Sequence, residues 1–114
     1  MPKDDRILLR HMLDAARKGR DFIKWRSRAD LDSDEMLALA VIRLLEVIGE
    51  AARGLSEDFR NRNPEIPWKQ IAGARDRLIH GYFDVDLDII WGILTSDLPS
   101  LITELEKILS LYEA

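Results

Sequence analysis

The stretch "MLALAVIRLLEVIGEAARGL", residues 36–55, is apolar on almost every side. Leu37, Val41, Leu44, Ile48, Ala51 and Leu55 recur at helical spacing and make one stripe. Leu39, Ile42, Leu45 and Val47 point elsewhere and are apolar too. Only Arg43, Glu46, Glu50 and Arg53 form a narrow polar strip. A helix of this kind is buried on several sides. In a chain of 114 residues it predicts a central bundle helix, with enough spare apolar surface to meet a second subunit. The expected helix covers about 34–55, started by Ser33 with Asp34 and Glu35 behind it.

Upstream, Leu8, Met12, Ala15, Phe22 and Trp25 recur at steps of three, four or seven, predicting a first helix over about 4–28. Downstream, "SEDFRNRNPEIP" (residues 56–67) reads as a connector with one short helical turn near 56–60. Pro67 suits the first turn of a third helix, predicted to run to Ile79 or His80 and to end at Gly81. Leu87, Trp91, Leu94, Leu98, Leu101, Leu105, Ile108 and Tyr112 then mark a last helix that begins near Asp84–Asp88. Pro99 falls inside it, and a bend is expected there rather than a break. The predicted fold is all-α: an antiparallel up-and-down bundle of four to five helices, the last kinked at Pro99, in a dimer. Neither repeats nor a linker divide the chain, so residues 1–114 are read as one domain.

Composition narrows the function classes. Charged residues make up 33% of the chain, and no apolar run approaches the roughly 18–20 residues of a membrane span. With no signal-like leader and no cysteine, the expectation is a cytoplasmic protein without disulfides or thiolate metal sites. The net charge of −4 conceals an asymmetry. Residues 1–28 hold nine Lys or Arg against four Asp, about +5, and the remainder carries about −9. Any nucleic-acid contact is therefore local. A solvated basic face on the first helix explains the same numbers.

The chemistry-bearing stretch is "ARDRLIHGYFDVD", residues 74–86. On a helical wheel Arg75 projects among Trp68, Ile71, Ala72, Leu78 and Ile79, whereas Arg77 falls on the opposite side. A guanidinium on an apolar face needs a carboxylate, such as Glu50 or Asp86, or an open cleft. His80 lies about 140° from Arg75 on an ideal helix, so the two share a site only if the chain unwinds at Gly81 or two subunits combine. Alternatively, His80 is a cation at a negative helix end. The chain has two histidines and lacks HExxH, EF-hand, GxGxxG and P-loop patterns, so neither a metal nor another cofactor is expected. Asp84, Asp86 and Asp88 read as the start of the last helix. Arginine plus histidine without metal suits phosphodiester chemistry on RNA: the imidazole moves a proton near neutral pH, and the guanidinium holds phosphate.

The run "PEIPWKQIAGARDRLIHGYFDVDLDIIW", residues 64–91, resembles the HepT-like family of HEPN-domain proteins, the toxin half of a two-gene toxin–antitoxin system. Arg75, His80 and Tyr82 match its R-x4-H-x-Y motif. "VIGEAA" (residues 47–52), the basic first helix and the "DLP" at residues 97–99 are similar as well. The resemblance implies an all-helical homodimer whose two motifs line a shared cleft, and a metal-independent endoribonuclease. In it His80 would be the acid–base residue, Arg75 the phosphate binder and Asp76 a supporting polar residue. It further implies a partner nucleotidyltransferase (MNT-type antitoxin) that silences the toxin by transferring AMP to Tyr82. The alternative is a non-catalytic HEPN subunit that binds nucleotide or RNA beside such an enzyme without cleaving it.

Overall fold

The computed structural model describes residues 3–74, 79–80 and 84–113; at residues 3, 79, 80, 84 and 113 the description is of the backbone. In chain order come α1 (Lys3–Phe22), α2 (Arg28–Ser33), α3 (Glu35–Gly54), α4 (Glu57–Arg62) and α5 (Trp68–Ala72). A two-residue strand pair follows, β1 (Ile79–His80) with β2 (Asp84–Val85). The chain ends with α6 (Leu87–Gly92), one π-helical turn (Ile93–Asp97) and α7 (Leu98–Glu113). The radius of gyration, 14.3 Å, slightly exceeds the roughly 13 Å of a compact domain of this size. Two helices of 20 residues, each about 30 Å long, account for that elongation.

The class is all-α, as the patterning predicts, and the core is built around α3. Leu37, Val41, Leu45 and Ile48 are buried against Leu9, Met12, Leu13 and Ala16 of α1. Ile90, Leu94, Leu98, Leu105 and Ile108 of the C-terminal helical run complete the same cluster. Met36 and Leu39 remain 83% and 58% exposed, so this chain alone does not cover all of α3's apolar surface.

Three boundaries differ from the sequence expectation. The first helix stops at Phe22, not near Arg28: Lys24 N–H donates to the Asp21 carbonyl and Arg26 N–H to the Ile23 carbonyl, closing a turn in which Trp25 has φ 65°. Phe22 and Trp25, expected on the core stripe, are exposed, and Ile23 is buried instead. The cap of α3 is Asp34, one residue after Ser33, with its carboxylate accepting from Leu37 N–H at 3.1 Å. That hydrogen bond, with Arg26 beside it, holds the Asp34 carboxyl below its ordinary range. The third helix ends at Ala72, and Ile79–His80 is extended backbone paired with residues 84–85.

Pro99 lies within α7, and the irregular turn sits just upstream. Leu98 N–H donates to the Ile93 carbonyl, five residues back. In that register the Leu94 carbonyl would need the N–H of residue 99, which proline lacks. Arg20 of α1 supplies the donor instead, at 3.1 Å. The helical run continues through Pro99, as expected.

One buried carboxylate ties the start of α1 to the chain just beyond α3. Asp5, 2% exposed, accepts from Ser56 N–H at 2.8 Å and from the Ser56 hydroxyl at 2.6 Å. The same hydroxyl accepts from Phe59 N–H and caps α4. Asp5→Ala leaves the Ser56 donors without their acceptor and should destabilise the fold by about 2 kcal/mol, read as a lower urea midpoint at unchanged slope. Asp5→Asn, which keeps one acceptor oxygen, should lose less.

Candidate functional site

Arg75, Asp76 and Tyr82 lie outside the described residues, and so does the proposed pairing of Arg75 with Glu50 or Asp86. What is described is the frame on either side of them. Its first support is the connector before α5. The buried Trp68 donates its indole N–H to the Asn63 carbonyl at 2.8 Å, and its ring packs on Phe59 with centroids 5.6 Å apart. Asn63 in turn donates to the Phe59 carbonyl, so the aromatic pair and the connector hold each other.

The second support is α3. A Cβ built on Gly49 would lie 3.2 Å from the Ile71 carbonyl oxygen and 3.7 Å from that of Ala72. The absence of a side chain lets the end of α5 rest directly on α3. Arg53, one turn further along α3, donates to the Ala72 carbonyl at 2.9 Å. From sequence Arg53 reads only as part of the polar strip, and Gly49 only as a member of "VIGEAA". A glycine in mid-helix, four residues before an arginine on the same helix, was the available signal.

The third support is the strand pair. Its register sets Ile79 opposite Val85 and His80 opposite Asp84. The backbone of His80 is therefore held in a strand, not at a helix end, which removes the helix-dipole role considered for it. The wheel that placed Arg75 on an apolar face assumed one helix as far as His80. α5 ends at Ala72 with Gly73 as its cap, which interrupts that single helix, and the face of Arg75 itself lies outside the described residues.

Beyond β2, Asp86 caps α6 by accepting from Asp88 and Ile89 N–H, both at 3.1 Å. Asp88 accepts from Arg28 Nε at 2.7 Å, which binds the start of α2 to the first turn of α6 and raises the Arg28 pKa further. The aspartates described here thus serve as cap and ion-pair partner, as a helix start requires. Among the described residues no group of His, Cys, Asp and Glu has a metal-binding arrangement. Glu50 lies 3.7 Å from Arg43.

A cavity of about 310 Å³ opens beside Ala74, the last described residue before Arg75, between α3, α5 and the π-helical turn. Leu45, Ile48, Ile66 and Ile71 form its floor, and Glu65, Asp97 and Glu104 its rim. The acidic rim is the wrong sign for a phosphate. Among the described residues no helix is long and apolar enough to cross a membrane.

Comparison with known proteins places this frame. The family model described as "Ribonuclease HepT-like" matches residues 12–108, which include Arg75, His80 and Tyr82. "Putative RNase MJ0127" of Methanocaldococcus jannaschii is 43% identical over 110 residues, covering 96% of this chain and 91% of the relative. "Probable ribonuclease HepT" of Thermococcus cleftensis is 46% identical over 79 residues, covering 69% and 72%. "Putative RNase TTE0752" of Caldanaerobacter subterraneus is 39% identical over 107 residues, covering 94% and 96%. No solved structure matches the chain. With a family match over most of its length and relatives of this similarity, the chain belongs to the HepT-like ribonuclease family.

Proposed function

We propose that the protein is a metal-independent endoribonuclease acting as a homodimer, with Arg75 and His80 as its catalytic residues. The observation that carries this reading is the family match across the residues that hold R-x4-H-x-Y. The chemistry of those residues suits it. The 2′-hydroxyl of RNA attacks the adjacent phosphorus, the bond to the 5′-oxygen breaks, and a 2′,3′-cyclic phosphate and a 5′-hydroxyl result. His80 moves the proton, Arg75 holds the phosphate and the charge that develops on it, and Asp76 supports them. Two protons change place, one leaving the 2′-hydroxyl and one reaching the 5′-oxygen. A dimer brings two imidazoles to such a cleft, and the exposed Met36 and Leu39 on α3 leave apolar surface for a second copy.

The same reading makes the protein the toxin of a toxin–antitoxin pair. A partner nucleotidyltransferase of the MNT type would silence it by transferring AMP from ATP to the Tyr82 hydroxyl, releasing pyrophosphate. An anionic adduct two residues from His80 would obstruct the RNA and repel its phosphates.

Purified, unmodified protein should cleave RNA in EDTA and leave 2′,3′-cyclic phosphate ends. His80→Ala should lower the rate by about 10²-fold or more. Cleavage that survives in His80→Ala removes the assigned role, and failure of a folded dimer to cut several RNAs favours the binding-subunit alternative. Arg75→Lys, which loses the planar fork, should also cut the rate strongly, whereas Arg77→Ala should be mild. Equal losses at 75 and 77 would mean that the phosphate clamp is misassigned. Incubation with the partner enzyme and ATP should add one AMP to Tyr82 by intact-mass analysis and abolish cleavage. An active partner that leaves Tyr82 unmodified would end the regulatory claim.

A further inference from the structure

Trp25 departs from two habits of large aromatic residues. It is 93% exposed, and its backbone has φ 65°, a region that bulky side chains rarely adopt. The turn after α1 buries Ile23 and carries Trp25 outward. There it borders a cleft of about 510 Å³, with Trp91 of α6 also in the lining. Arg20, Lys24 and Arg26 line the same cleft, with Asp21 as an acidic neighbour.

The three cations are held in ways that leave them usable. Lys24 Nζ sits 5.9 Å from the centre of the Trp25 ring, a cation–π contact that poises both groups at the cleft. Arg20 gives one N–H to the Leu94 carbonyl, out of five on a guanidinium. Arg26 pairs with Asp34 at 3.1 Å, but that pair is solvent-exposed and such pairs exchange partners at little cost. The cleft also lies in the part of the chain that carries about +5 in an otherwise acidic protein.

Indole faces beside cations are the chemistry that takes an unstacked base and its phosphate. The cleft is also linked to the candidate site. His80 pairs with Asp84 across the strand pair, Asp86 caps α6, and Arg28 bonds Asp88 at 2.7 Å. Trp91 follows five residues after that cap, about 8 Å along the helix axis.

We propose that the Trp25–Trp91 cleft is a subsite for single-stranded RNA: an unpaired base stacks on Trp25 while Lys24 and Arg26 hold its phosphate. The identity of the ligand as substrate rests on the ribonuclease reading; the binding itself does not require cleavage.

The test uses the full chain in two forms. His80→Ala protein is titrated with a labelled single-stranded oligoribonucleotide and with the duplex of the same sequence, and His80-intact protein is assayed for cleavage. Trp25→Ala should weaken single-strand binding about tenfold, leave duplex binding unchanged, and raise KM at constant kcat. Trp25→Phe should restore most of the affinity, and Lys24→Ala should reduce the salt dependence of binding by about one phosphate contact. Wild-type affinity and KM in Trp25→Ala overturn the subsite while leaving the ribonuclease standing. Trp25-dependent binding without any cleavage keeps the subsite and removes the ribonuclease. A change in sedimentation of Trp25→Ala from dimer to monomer overturns the subsite by showing that this face meets another protein copy.

Discussion

The close approach at Gly49 is the constraint on which the candidate site depends. α5 is only five residues long, too short to hold a helical conformation on its own. Its last carbonyls also lack intrahelical donors, as at any helix end. α3 solves both difficulties: Gly49 lets the Ile71 and Ala72 carbonyls settle against it, and Arg53 donates to the second of them. The position of the α5 end is thus set by a helix about twenty residues earlier in sequence. The Trp68–Phe59 contact fixes the other end of α5. Together they explain why the most apolar helix lies at the centre. It carries the core on one side and holds the end of α5 on another.

A second constraint works where α1 meets the π-helical turn. Pro99 removes one N–H, the turn before it widens, and the Leu94 carbonyl is left to find a donor outside its own helix. Arg20 reaches it because α1 lies close: a Cβ on Gly19 would be only 3.2 Å from Leu98 Cδ1. The last turn of α1 is thereby pinned to the wide turn. The chain emerging from α1 at Phe22 starts from a fixed point, which gives the Trp25 turn its position relative to Trp91.

Much of this was legible in the sequence where the information is local. Asp34 and Ser56 are strong cap residues, and the starts of α3 and α4 fell within a residue of expectation. The apolar register of residues 87–112 crossed Pro99 unbroken, and so does the helical run. The two overextended helices failed for a shared reason. Phe22 and Trp25 continue the spacing of Leu8, Met12 and Ala15, yet spacing alone does not reveal that a tryptophan will adopt a left-handed turn. Ile79 likewise continues the spacing of Trp68 and Ile71, but it pairs with Val85 in a short hairpin, and helical spacing carries no signal of that pairing. The motif R-x4-H-x-Y was legible as residue types. Its family is shown by similarity over residues 12–108, while the face assigned to Arg75 lies outside the described residues.

The charge asymmetry of the chain now divides into two parts. Some of the basic residues in 1–28 are spent inside the fold: Arg17 pairs with Glu106 of α7 at 3.0 Å, Arg28 with Asp32 and Asp88, and Arg20 with a backbone carbonyl. For these the bland account holds, since they join the basic first helix to acidic neighbours. Lys24 and Arg26 differ. Their nearest described contacts are an exposed indole and an exposed carboxylate, at the rim of a cleft. A surface that needed charge only for solubility would not require a left-handed tryptophan to stand among those cations. Their pairing at that turn, within one helix of the strand that carries His80, is what separates a working basic patch from a merely solvated one.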